Sequence, residues 1–202
     1  GDKVKRAQDR VWTDVAFFVG AALENLNDLP DLERLPGVAG VKLFMGSSTG
    51  SLLVAEDEAV ARVLANGQRR MAVHCEDENR LKERRHLVEG GAPVEAHAEW
   101  RDAETALAAT RRLLRLAEGA RRRVQVLHVT TAEEMALLAQ HRTLATVECT
   151  PQHLTLEAPD CYRRLGSRAQ MNPPVREASH REGVWDGLRR GVIDVLGSDH
   201  AP

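Results

Sequence analysis

Val38-Ala39-Gly40-Val41-Lys42-Leu43-Phe44 is an apolar run of strand length that carries one charge. Its composition and length predict a β-strand. An ammonium group would be expensive to bury in such a strand, so Lys42 requires a partner or a chemical modification. The same form repeats at residues 14–19, 71–74, 124–129, 144–149 and 192–197, which makes six candidate strands in all. Helical patterns separate them. Residues 56–66 open with acidic side chains and place Val60, Val63 and Leu64 at helical spacing. Residues 101–120 put Ala106, Leu107, Leu113, Leu114 and Ala117 on one face. Residues 131–140 and 177–190 give two more helices, the first opened by Thr131 and Glu134 at the spacing of a capping box. Strands alternating with longer helices are the sequence form of βα units around a parallel sheet. Residues 151–176 are the longest stretch with no clear element, and long loops in compact domains are often functional.

Composition narrows the function classes. At 202 residues the chain suffices for one ordinary domain or for most of a larger one. Its 28 basic and 30 acidic residues leave a formal charge of −2, and its three Trp, one Tyr and three Phe are few. With no basic stripe, the chain gives no reason to expect nucleic acid, and a small molecule is the expected partner. No apolar run approaches the roughly 20 residues that span a bilayer. Residues 1–10 lack the apolar stretch of a signal peptide, so no membrane is expected either. Cys75, Cys149 and Cys161 form no dense framework, and their odd number suits a reducing compartment, so the expected location is cytoplasmic.

Several candidate strands end in a residue with metal or acid–base chemistry. Lys42 lies in the second, His74 ends the third and is followed by Glu76 and Asp77, His128 lies in the fourth, and the sixth runs into Ser198-Asp199-His200. In a parallel αβ barrel such positions converge, because the active site is built from the C-terminal ends of the strands. Two imidazoles and a carboxylate there can bind zinc or a similar divalent ion. Taken singly, each has a plainer explanation. One His at a strand end is ordinarily a polar terminus, and Ser198-Asp199 alone could cap a turn. Cys75 and Cys149 read as small buried hydrophobes, and Arg121, Arg122 and Arg123 as solvated charge at a helix end. The combination is what carries weight.

Six segments in order, Gly40-Val41-Lys42-Leu43-Phe44-Met45-Gly46-Ser47-Ser48-Thr49-Gly50, Val73-His74-Cys75-Glu76-Asp77, Leu127-His128-Val129-Thr130-Thr131, Thr150-Pro151-Gln152-His153-Leu154, Met171-Asn172-Pro173-Pro174-Val175-Arg176 and Gly197-Ser198-Asp199-His200-Ala201-Pro202, resemble the bacterial dihydroorotases of the amidohydrolase superfamily. The resemblance implies an α/β fold, a (β/α)8 TIM-type barrel with a two-zinc site, of which the six strands here would be the third to the eighth. It implies that Lys42 is N-carboxylated and bridges the metals, that His74 and His128 bind one of them, and that Asp199 binds the other and is the catalytic acid–base. Asn172 would contact the substrate ring. Ser48 and Thr49 fall where related enzymes have a loop that closes over substrate, and His153 lies near the site with a structural role as its alternative.

The implied reaction is the reversible zinc-dependent cyclisation of N-carbamoyl-L-aspartate to L-dihydroorotate in pyrimidine biosynthesis. The family's His-x-His-x-Arg strand has no counterpart among the eight His here. Residues 1–202 are therefore expected to be one barrel domain, incomplete at both ends, inactive alone and holding at most one zinc. The alternatives are an allantoinase or hydantoinase type of cyclic amidohydrolase, or a non-catalytic dihydroorotase-like scaffold for aspartate transcarbamoylase. Association with that enzyme or a homodimer is the expected protein partnership.

Overall fold

The computed structural model describes residues 2–47 and 52–200. Six strands, β1 (Phe17–Gly20), β2 (Val38–Phe44), β3 (Met71–His74), β4 (Val124–Val126), β5 (Ala145–Cys149) and β6 (Val195–Leu196), form one sheet in sequence order. Every neighbouring pair is parallel. The helices are α1 (Asp2–Ala7), α2 (Leu29–Leu32), α3 (Asp57–Ala65), α4 (Glu78–Glu83), α5 (Ala96–Trp100), α6 (Ala103–Gly119), α7 (Ala132–Leu138), α8 (Pro151–Thr155), α9 (Asp160–Leu165) and α10 (Ala178–Arg189). Strands in sequence order, each parallel to the last and joined through helices, are the plan of a βα barrel, here with six strands. All six expected strands exist, and the larger helices match the four expected ones to within a few residues.

Alternation along the strands divides the sheet into two faces. Val41, Leu43, Met71, Val73, Val124, Val126 and Val147 pack with Val60, Val63, Leu64, Leu113, Leu114, Met135 and Leu138 of the helices in one core. Each such side chain, fully buried, contributes roughly 1.5–3 kcal/mol. The other face is polar. Lys42, Gln125, Thr146 and Glu148 lie on it, partly buried, with Gln125 donating to the Glu148 carboxylate at 3.0 Å. Register sets Lys42 beside Gly20 and Ala72, and Phe44 beside His74.

Three expectations need correction. Residues 151–176 are not a structureless loop: α8 packs on the main core through Leu154, and α9 with a 3-10 turn at Gly166–Ala169 packs around a small core of Cys161, Tyr162, Ala169 and Val175. That core is too sparse in sequence to show a periodicity. Arg122 is not solvated helix-end charge. It is buried, and its guanidinium donates to Glu33 at 2.8 Å across 89 residues of chain. Thr131 caps α7 as expected, accepting from Glu134 N–H at 3.1 Å, but the return half of the box is absent. The Glu134 carboxylate instead accepts the Thr131 and Thr110 hydroxyls at 2.9 and 2.8 Å.

Candidate active site

The chain leaves β3 through His74 and enters the α4 turn at Asp77, whose carboxylate caps α4 by accepting from Arg80 N–H. The exit is tightly packed. A Cβ on Gly46, just past β2, would lie 2.4 Å from the Glu76 carbonyl oxygen, so the two strand exits touch only because residue 46 is glycine. Beyond β4, His128 adopts a φ of +39°, uncommon for a residue with a Cβ, and turns out of the strand that the sequence would extend to residue 129. The two imidazoles then face each other. His74 Nδ1 and His128 Nε2 are 3.2 Å apart, with the rings nearly perpendicular at 74°.

Proton positions follow from the partners. His74 Nε2–H donates to Glu76 at 2.8 Å, since a carboxylate can only accept, and this leaves the His74 Nδ1 lone pair directed at His128. His128 Nε2–H closes that contact, while its Nδ1 is buried with no partner. Burial holds His128 neutral, far below the ordinary imidazole pKa, and the charge of Lys42 pushes the same way. If the one proton between the rings moves to His128 Nδ1, both nitrogens present lone pairs to the same point. Two nitrogen ligands at corners of a zinc tetrahedron with bonds of about 2.0–2.1 Å lie about 3.3 Å apart, so the observed separation fits a shared metal.

Lys42 stands two residues before the end of β2, its Nζ 4.5 Å from the centre of the Phe44 ring. Burial lowers its pKa from 10.5 to about 8, against the opposing charges of Asp199, Cys75 and Glu148. A fraction of the amine is thus neutral near physiological pH, which is the form that carboxylation requires. Asp199 is more exposed, at a φ of +49°, and burial raises its pKa while Lys42 and His74 pull it down. Among the described residues no three His, Cys, Asp or Glu side chains come together as a metal cluster. Asp199 does not join the two imidazoles, and a third donor beside them would have to come from Lys42, which is a ligand only once carboxylated.

The remaining predicted residues divide. His153 is buried, with Nε2–H donating to the Pro173 carbonyl at 3.1 Å and Nδ1 accepting the Thr150 hydroxyl at 2.8 Å. It ties α8 to the Asn172-Pro173 segment and has no ring nitrogen left for a ligand. Asn172 has a buried Oδ1 with no partner. Ser48 and Thr49 lie outside the described residues. Sequence reading noted Glu76 after His74 at the strand end without a specific role and gave none to Arg101, yet Arg101 donates to Glu76 and, at 2.6 Å, to the Ser47 carbonyl. Their separation of 25 positions leaves no local signal.

No protein-family model matches the chain. It is 32% identical to the dihydroorotase of Methanosarcina acetivorans, over 99% of this chain and 45% of the relative. A Salmonella paratyphi B allantoinase is 29% identical over 99% of this chain and 47% of its own length. Among solved structures, the L-hydantoinase (dihydropyrimidinase) of Arthrobacter aurescens superposes with a TM-score of 0.87 at 27% identity, covering 98% of this chain and 46% of that one. An inactive dihydroorotase-like domain of a Chaetomium thermophilum CAD-like multifunctional protein, at 16% identity and a TM-score of 0.63, shares the fold alone. The chain thus spans about half the length of the relatives it matches. Sequence and fold agree that this chain is similar to the dihydroorotase, allantoinase and hydantoinase group of cyclic amide hydrolases, over a six-stranded part of their barrel.

Proposed function

We propose that this chain carries half of the active site of a dihydroorotase, which opens the cyclic amide of dihydroorotate and closes it again from carbamoyl aspartate. The observation that carries the reading is the convergence of His74 Nδ1 and His128 Nε2, with Lys42 near enough for its charge to act on His128. Lys42, carboxylated on Nζ, together with His74 and His128 would hold one zinc, and Lys42 with Asp199 would contribute to a second. Bound zinc would acidify a water and polarise the ring carbonyl.

The protein's own groups do the rest. The Lys42 carbamate replaces a buried cation with an anion, which removes the cost of an unpaired ammonium on the inner face. Asp199, raised in pKa by burial, can take a proton from the attacking water and return it to the ring nitrogen as the C–N bond breaks. Asn172, with its unpartnered buried carbonyl oxygen, is suited to receive a ring N–H of the substrate. The three free cysteines fit a reducing, cytoplasmic setting. Among the described residues no helix is long and apolar enough to cross a membrane.

Dihydroorotate, allantoin and a hydantoin offered in parallel to the complete gene product test the reading. Turnover of dihydroorotate is expected. Preference for allantoin or a hydantoin would move the chain to that alternative, and no turnover of any, with zinc bound, would favour a scaffold. The 202-residue chain alone is expected to turn over none of the three.

A further inference from the structure

His74 is one wall of a buried polar cluster that the reaction above does not use. Glu76 is fully buried and accepts from His74 Nε2. Arg101, at the C-terminal end of α5 and 3% exposed, donates to the same carboxylate oxygen and to the Ser47 carbonyl. Arg176, 4% exposed, donates to the Arg101 carbonyl and through Nε to the Thr130 hydroxyl at 3.1 Å. Glu76 therefore sits between the imidazole and a guanidinium whose other bond reaches the β2 exit, while the backbone carbonyl of Arg101 is held by Arg176, which reaches the β4 exit. An uncompensated buried carboxylate would be expensive, and Arg101 is what makes Glu76 tenable there.

We infer that Glu76, held by Arg101, is a positioning residue that fixes the ring angle and tautomer of His74, so that the Nδ1 lone pair faces His128 and a shared metal. The inference rests on the metal reading of the site for its purpose and on geometry for its substance. A carboxylate behind a ligating imidazole fixes which nitrogen is free and raises its basicity, and losing such a group typically costs about 10–100-fold in metal affinity. Arg101 extends this device by tying the carboxylate to the β2 exit, two strand ends from His128.

The test has two independent readouts on the 202-residue chain. Nitrogen-15 NMR of histidine-labelled, metal-free protein, with His74 assigned by its loss in His74→Asn, reports the tautomer without any change at Glu76. Protonation at Nε2 is expected, and protonation at Nδ1 overturns the inference. Competition titration then compares zinc affinity, with Glu76→Leu expected to weaken it about 10–100-fold and Glu76→Gln, which keeps an acceptor, to restore part of the loss. A purely structural Glu76 would lower the melting temperature in Glu76→Leu and leave both tautomer and affinity in place, and that result overturns the inference. If the unsubstituted chain takes up no zinc, the metal reading fails, and the tautomer measurement still decides what Glu76 does.

Discussion

Two buried glutamate–arginine pairs lie at opposite ends of β3 and do different work. Before the strand, Glu33 accepts from Gln68 N–H at 2.5 Å, from Arg69 N–H at 3.2 Å and from Arg122 at 2.8 Å, so both carboxylate oxygens are engaged. After the strand, Glu76 has one oxygen shared by His74 and Arg101 and the other, Oε1, buried without a partner. His128 Nδ1, Arg101 Nε and Arg176 Nη2 nearby also lack partners, whereas at the Glu33 pair Arg122 Nε alone does. Satisfied groups close a structure, whereas unsatisfied buried ones are costly and persist where something else uses them. The contrast follows the division of labour in βα barrels, with stability at the N-terminal ends of the strands and chemistry at the C-terminal ends.

The largest expected effect breaks the satisfied end. Glu33→Ala strands Arg122 and two backbone donors, and chemical denaturation should show a loss of about 3–5 kcal/mol with zinc affinity unchanged. If affinity falls as steeply as stability, the two ends are not separable. Gly67→Ala attacks the same pair sterically. Gly67 has a φ of +98°, and a Cβ there would lie 2.5 Å from the Glu33 carboxylate. A destabilisation of about 1–3 kcal/mol is expected, and wild-type stability would show that the Glu33 contact is loose.

At the chemical end, Asp102 caps α6 by accepting from Thr105 N–H at 3.0 Å and pairs with Arg80. Asp102→Ala should cost about 0.5–2 kcal/mol. Burial pushes the Asp102 carboxyl up, yet hydrogen bonds from Arg80 and Thr105 hold it down at about 2 against an ordinary 3.8. Its contribution is therefore complete above pH 3.8 and lost as pH falls towards 2, and thermal melts of the variant should lack that part of the acid slope.

His153 gives the smallest effect at neutral pH and a distinctive one in acid. Burial, outweighing its bond to Pro173, lowers its pKa from 6.5 to about 4. The unfolded chain takes up the proton first, so stability should fall as pH drops from 6.5 to 4 and level off below. His153→Gln should flatten that interval in a melting-temperature profile. An unchanged slope would mean that other groups set it.

Much of this was legible in the sequence because strands with one apolar face announce themselves by alternation. Lys42 stood out as a charge in an apolar strand, and His74 and Asp199 by their place at strand ends. Long-range pairing was not legible. Arg122 with Glu33 and Arg101 with Glu76 join residues on different elements, and a guanidinium in sequence looks the same whether buried or solvated. The core around Tyr162 was hidden for a related reason, since its buried residues come from one short helix, a turn and the Val175 segment with no common period. His128 was expected inside the fourth strand and lies two residues past β4, and the φ that turns it towards His74 has no sequence signature.

The central claim is that Lys42, His74 and His128 form one metal site on this chain. Elemental analysis of the 202-residue chain, loaded with zinc in bicarbonate buffer and then desalted, measures it most directly. The account predicts one zinc per chain, lost in Lys42→Ala and in His128→Asn. Two tightly held zinc ions, or one that survives both substitutions, would contradict it.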